Sequence, residues 1–116
     1  MVSEKVMVQR KKSIDLLDRS FAFKQDCVRF GNNETLKHAI AKFILCHQLH
    51  TEGKSFVTEA RMNDKKSRAD IFVLDSGEAW EVLQSETAEM FKQKVADYPV
   101  PAFCIKADDV LKGERL

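Results

Sequence analysis

The sequence predicts a small α/β fold whose core runs α-β-β-β-α-β, and three observations predict it. Apolar residues recur at helical spacing from position 36 to 47, and three runs rich in β-forming residues follow between 55 and 83. A second helical repeat then leads across two prolines into a last apolar run. At 116 residues the chain fits a single domain, 1–116. A chain of this size buries somewhat under about 70% of its unfolded surface, enough for one compact core.

Residues 1–32 form a less regular amino-terminal segment, and 33–106 carry the core. Within the first part, Ser13 to Arg19 reads as a helical turn, and Phe21 to Phe23 and Val28 to Phe30 as strand-like pieces. From Gly31 the pattern sharpens: an Asn cap precedes Glu34, and Leu36, Ala39, Ile40, Phe43, Ile44 and His47 form one helical face. The spacing predicts a helix over 34–50 with that face on a sheet and Lys37, Lys42 and Gln48 outward. Gly53 is available for a left-handed C-terminal cap.

Three strands are predicted at 55–61, 69–74 and 79–83, separated by polar turns at 63–67 and 75–77, so adjacent strands pair as antiparallel hairpins. Residues 85–96 return to helical spacing through Ala88, Met90, Phe91 and Val95, with Thr87 or Ser85 as the cap. Pro99 and Pro101 break that helix, and 102–105 reads as a short buried strand.

The composition, 44% apolar and 32% charged, is that of a soluble globular chain rather than a disordered one. No run approaches the roughly 20 apolar residues of a membrane span, and the first residues lack the apolar core of a signal peptide, so the expectation is a cytoplasmic protein with no membrane partner. Cys27, Cys46 and Cys104 form no CxxC pair and read as reduced thiols packed as small hydrophobes. The net charge of +1 leaves any nucleic-acid contact to local clusters. Two such clusters stand out, Arg10-Lys11-Lys12 and Lys65-Lys66-Ser67-Arg68, and the second sits in the turn leading to Asp70. His38, His47 and His50 lack the spacing of a zinc site and read as packing or surface residues. Trp80 reads as core.

Chemistry is concentrated in two carboxylates inside apolar strands, Asp70 opening one and Glu81 within the next. Unpaired buried carboxylates are costly, so each needs a cation, a donor cluster or solvent. A two-residue loop at Ser76-Gly77 sets Phe72 opposite Glu81 and Asp70 opposite Leu83. Asp70 and Glu81 are then diagonal neighbours on one face, with Cβ atoms about 7 to 8 Å apart, a span one metal ion can bridge. A loop one residue longer flips the parity and gives Asp70 the companions Val82 and Gln84 instead. Asp70 has a simpler alternative in a half-solvated pair with Arg68 or Arg61, and Glu81 in an edge position.

The segments Arg68-Ala69-Asp70-Ile71-Phe72-Val73 and Trp80-Glu81-Val82-Leu83-Gln84-Ser85-Glu86, in this element order, resemble the PD-(D/E)XK, or restriction-endonuclease-like, nuclease superfamily. The resemblance covers about residues 33–106 and implies a mixed sheet flanked by helices, with an aspartate opening the second strand and an E-x-K on the third. It implies a metal-dependent endo- or exonuclease in which Asp70 and Glu81 bind Mg²⁺ or Mn²⁺, supported by Glu34 on the first helix and Glu59 on the first strand, with DNA as partner. A nuclease that cuts two strands implies a homodimer. The lysine of E-x-K is replaced by Leu83, which can neither orient water nor supply charge. Gln84 or Ser85 could position water instead, or Lys92 or Lys94 could reach back from the following helix. Two readings therefore stand beside cleavage by Asp70, Glu81, Gln84 and Lys94: a silent domain of this fold that binds nucleic acid or a protein partner, and an interaction module with a fortuitous carboxylate pair.

Overall fold

The computed structural model describes residues 2–113. Its elements are α1 (Glu4–Ile14), α2 (Leu36–Thr51), β1 (Phe56–Arg61), β2 (Arg68–Val73), β3 (Glu78–Leu83), α3 (Ala88–Val95), β4 (Ala102–Lys106) and α4 (Ala107–Leu111). The four strands form one sheet in the order β1-β2-β3-β4, antiparallel across the first two junctions and parallel between β3 and β4. From α2 onward this is the α-β-β-β-α-β arrangement read from the sequence, a mixed sheet flanked by helices and consistent with a generic PD-(D/E)XK-like topology. Two helices outside it, α1 and α4, were not anticipated. Ser3 caps α1, accepting the Val6 N–H, but its sequence EKVMVQRKKSI carries too narrow an apolar stripe for periodicity to reveal it.

Strand alternation gives the sheet two packed faces. On one, Phe56, Ile71, Val73, Val82 and Ile105 meet Ala41, Leu45, Cys46 and Leu49 of α2 and Ala107 and Val110 of α4. On the other, Val57, Phe72, Leu74 and Ala79 pack with Leu17 and Met62, and with partly buried Ile14, Tyr98 and Val100. Full burial of side chains such as Phe72 contributes about 1.5–3 kcal/mol each.

The orientation of α2 differs from expectation. Its buried positions are Ala41, Lys42, Leu45, Cys46 and Leu49, so Lys42 faces inward. Leu36, Ile40 and Phe43 are exposed. Two adjacent apolar stripes compete on this helix, and the winning one brings Lys42 to Glu34 and Glu59. The N-cap is Thr35, whose hydroxyl accepts the His38 N–H at 3.2 Å, rather than an asparagine. Gly53, at φ 74°, follows the helix end in the left-handed region as expected.

No strand forms at Phe21–Phe23 or Val28–Phe30. Residues 26–29 instead lie beside the outer edge of β1 through side-chain bonds. The Asp26 carboxylate accepts from Ser55 Oγ and Phe56 N, and Thr58 Oγ1 accepts the Arg29 N–H while donating to the Cys27 carbonyl. This covers an edge that is otherwise free to pair with another chain. At the opposite edge β4 buries only Ile105 and leaves Phe103 and Cys104 exposed, because no further element covers it.

The β2–β3 loop also departs from expectation. Val73 pairs with Glu78, so four residues, 74–77, form the connection, closed by a bond from Gly77 N to the Val73 carbonyl with Gly77 at φ 71°. Leu74 is drawn into the core and bonds Ser55, and Asp75 turns away to a bidentate pair with Arg10 at 2.9 and 3.0 Å. Arg10 is thereby committed to this turn. Two additional loop residues preserve the side-chain parity while changing the partners.

Candidate functional site

With Ile71 opposite Trp80, the next position along the β2–β3 register sets Asp70 opposite Glu81. The two are direct rather than diagonal neighbours. Backbone pairing gives way there to side-chain bonds: Glu81 Oε2 accepts the Asp70 N–H, and Asp70 Oδ2 accepts the Val82 N–H, both at 2.8 Å. On the other side, the pairs Thr58–Ile71 and Ala60–Ala69 bracket Glu59 opposite Asp70. Glu59, Asp70 and Glu81 thus form a row across three strands. Glu59 sits at φ 48°, a left-handed conformation that costs a non-glycine residue on the order of 1 kcal/mol or more.

The carboxylates of this row, and Glu34 beside it, are each matched by a cation from within the chain. Lys42, 0% exposed, bonds Glu34 at 2.9 Å, Glu59 at 3.2 Å and the Arg29 carbonyl. His38 bonds Glu34 through Nδ1 and faces Asp70 Oδ2 through Nε2 at 3.3 Å. Lys94 reaches from α3 to Glu81 Oε1 at 2.7 Å, where the Tyr98 hydroxyl also donates at 2.9 Å. Arg68 lies 3.7 Å from Glu59. Gly31 closes the cluster, its N–H donating to Glu34 at 3.0 Å. A Cβ at that glycine would stand 2.6 Å from Glu59 Oε1, so a larger residue there would push the Glu59 carboxylate off its present partners.

Protonation follows from these contacts. The hydrogen bond and charge of Asp70 raise His38 to about 9 against the opposition of burial, with Glu34 adding to the rise, so the imidazole is cationic at neutral pH. Burial pushes Asp70 upward, but His38, the Val82 N–H and Lys94 outweigh it and hold the carboxyl below its ordinary value. Glu81 moves upward, because it is wholly buried and faces the Asp70 charge, and Lys94 only partly offsets that. Burial and then Glu81 raise Tyr98, which stays a neutral donor.

The carboxylates of this row already have partners within the chain. Both Glu81 oxygens and Asp70 Oδ2 are occupied by protein donors, and an imidazolium stands against the aspartate. Among the described residues no group of three or more His, Cys, Asp or Glu side chains is placed to hold a metal ion. Glu34 and Glu59 face Lys42, and Lys42 takes the place a bridging cation would have.

The remaining expected site residues are dispersed. Leu83, at the lysine position of the motif, is buried. Gln84 is exposed and accepts from Thr35 Oγ1 at 2.7 Å, tying β3 to the start of α2. Ser85 and Lys92 are exposed, and Lys94 is the helix lysine that reaches the pair. Lys65 is a turn residue at φ 65°. Lys66 and Arg68 line a cleft of about 430 Å³ together with Arg61, Asp70, Lys94 and Tyr98. Trp80 packs on the α2-side core. His38 and Lys42 are the neighbours of the carboxylates that the sequence reading set aside, the first as a packing or surface residue and the second as outward-facing. A signal for both was present, since Glu34, His38 and Lys42 repeat at i, i+4 and i+8 on one helix face.

No protein-family model, curated protein or solved structure matches this chain. The fold and the site stand on their own geometry. No helix of the described residues is long and apolar enough to cross a membrane.

Proposed function

We propose that this domain binds the sugar–phosphate backbone of a nucleic acid in the cleft beside Asp70 and does not hydrolyse it. One observation carries the reading: the four carboxylates are neutralised by Lys42, His38, Lys94 and Arg68, so the acidic row neither recruits metal nor repels a polyanion. Arg61, Lys66 and Arg68 line the cleft together with Asp97. Lys66 meets Asp97, and Arg68 meets Glu59, only at 3.7 Å and through cations more than half exposed, so a phosphate can compete for both. Arginine forks suit phosphate oxygens, and such contacts supply affinity without demanding a particular sequence. The PD-(D/E)XK-like element order supports placing a backbone on this side of the sheet. Leu83 in the lysine slot supports binding over cleavage.

The test is fluorescence anisotropy with labelled 20-nucleotide DNA, in EDTA and in Mg²⁺ or Mn²⁺, beside gel analysis of the same mixtures. Equal binding with and without divalent ion is expected, after allowance for ionic strength, and no cleavage. Arg61→Ala and Arg68→Ala should each weaken binding and lower the slope of log affinity against log salt by about 1. Metal-dependent cleavage abolished by Asp70→Ala and Glu81→Ala would overturn the reading in favour of a hydrolase. Absence of binding at about 50 mM salt would overturn it outright.

A further inference from the structure

A second hollow, of about 240 Å³, adjoins the cleft and shares Arg61 and Arg68 with it. Its walls carry three phenylalanines, Phe21, Phe23 and Phe30, together with Arg29. Phe30 is 80% exposed and Phe21 51%. Single exposed apolar side chains are ordinary, but several gathered in one hollow rimmed by polar residues mark an interaction surface.

Phe30 is exposed on a backbone that is held on both sides. Its predecessor Arg29 donates its N–H to Thr58 Oγ1 at 2.8 Å and gives its carbonyl to buried Lys42. Its successor Gly31 donates its N–H to Glu34 and lies against the Glu59 carboxylate. The ring therefore projects from the rim of the carboxylate cluster at a set position. Arg61 lies 4.2 Å above the centre of the Phe21 ring, which orders both groups on the same wall.

We infer that the nucleic acid bound at this cleft is single-stranded, its phosphates following Arg68, Arg61 and Arg29 while an unpaired base stacks on Phe30. The inference rests on the backbone-binding function proposed above and names its substrate class. A basic groove with an aromatic platform matches the chemistry of an unpaired strand, because every base has a face to stack and every linkage has a charge to pair. Paired bases within a duplex keep their faces stacked on each other and cannot cover this ring. Arg61 and Arg68 line both hollows, joining the cleft that holds Lys66 to the one that holds the phenylalanines; Asp70 and Asp97 in the first and Asp18 and Glu59 in the second are the acidic residues on these walls.

The experiment compares the affinity of the full chain for three probes: labelled dT20, a 20-residue abasic strand with the same phosphates, and a blunt 20-base-pair duplex. Wild type should bind dT20 more tightly than either of the others. Phe30→Ala should weaken dT20 binding about 5- to 100-fold and leave the abasic strand unchanged, whereas Phe30→Trp retains dT20 affinity. The thermal midpoint of Phe30→Ala should match wild type, since the ring contributes little burial. Equal affinity of wild type for dT20 and the abasic strand, equal or tighter binding of the duplex, or an unaffected Phe30→Ala variant would overturn this inference while leaving backbone binding intact. Failure of wild type to bind any of the three would overturn both.

Discussion

Replacing Lys42 by methionine keeps most of the side-chain volume and removes one charge from a position with no solvent access. Glu34 and Glu59, themselves only 5% and 14% exposed at the side chain, then lose the cation that lies between them, and the Arg29 carbonyl loses its donor. Breaking a buried ion pair from one side costs about 3–5 kcal/mol, because the partner charge stays buried and uncompensated. Here His38 and the Gly31 N–H still serve Glu34, while only a half-exposed Arg68 at 3.7 Å serves Glu59. The expected loss is therefore about 3–4 kcal/mol, a large share of the roughly 5–15 kcal/mol that holds a small domain together. Urea denaturation followed by the fluorescence of Trp80, the sole tryptophan, reads it directly. A triple variant, Lys42→Met with Glu34→Gln and Glu59→Gln, should recover at least half of the loss by removing the stranded charges. A loss below about 1 kcal/mol in the single variant, or no recovery in the triple, would refute the view that Lys42 neutralises this cluster.

Other consequences follow from the same contacts. His38, with its folded value raised to about 9 by Asp70, stabilises the fold fully below its ordinary 6.5 and loses that contribution as pH rises through 9. About 3 kcal/mol should disappear between pH 6 and 10 in wild type and not in His38→Ala, and an imidazole NMR titration centred near 6.5 would contradict this. Tyr98→Phe removes the hydroxyl that faces both Glu81 and the Arg68 carbonyl, and should cost about 1–2 kcal/mol in urea denaturation. Lys94→Met should cost less than about 1 kcal/mol despite the short contact, because Lys94 is half exposed and water screens its charge. A larger loss for Lys94 than for Tyr98 would show that charge rather than hydrogen bonding holds Glu81.

The phosphate contacts proposed at Arg61 and Arg68 and the stacking proposed at Phe30 draw on residues of different origin. Arg61 and Arg68 end paired strands, and Phe30 belongs to a segment that only lies beside the sheet. The carboxylate row between them has the character of a structural support: it is neutral as a unit, and through Lys42 and Gly31 it fixes the backbone on either side of Phe30.

The sequence by itself determined the order of the core elements, because helical spacing and β-rich runs between polar turns are local signals. It offered Asp70 and Glu81 on one face only for a loop of even length, and the four-residue connection 74–77 decided for that parity. The tertiary structure alone decided the rest. Which stripe of α2 turned inward depended on matching a buried lysine to acids on a distant loop and strand. Loop length at 74–77 depended on Leu74 entering the core and Asp75 finding Arg10, sixty-five positions away in sequence. That the acidic row meets cations of its own chain depended on His38, Lys42 and Lys94 converging from two helices. Such choices are settled by the cost of burying an unpaired charge, which is felt only when distant segments meet.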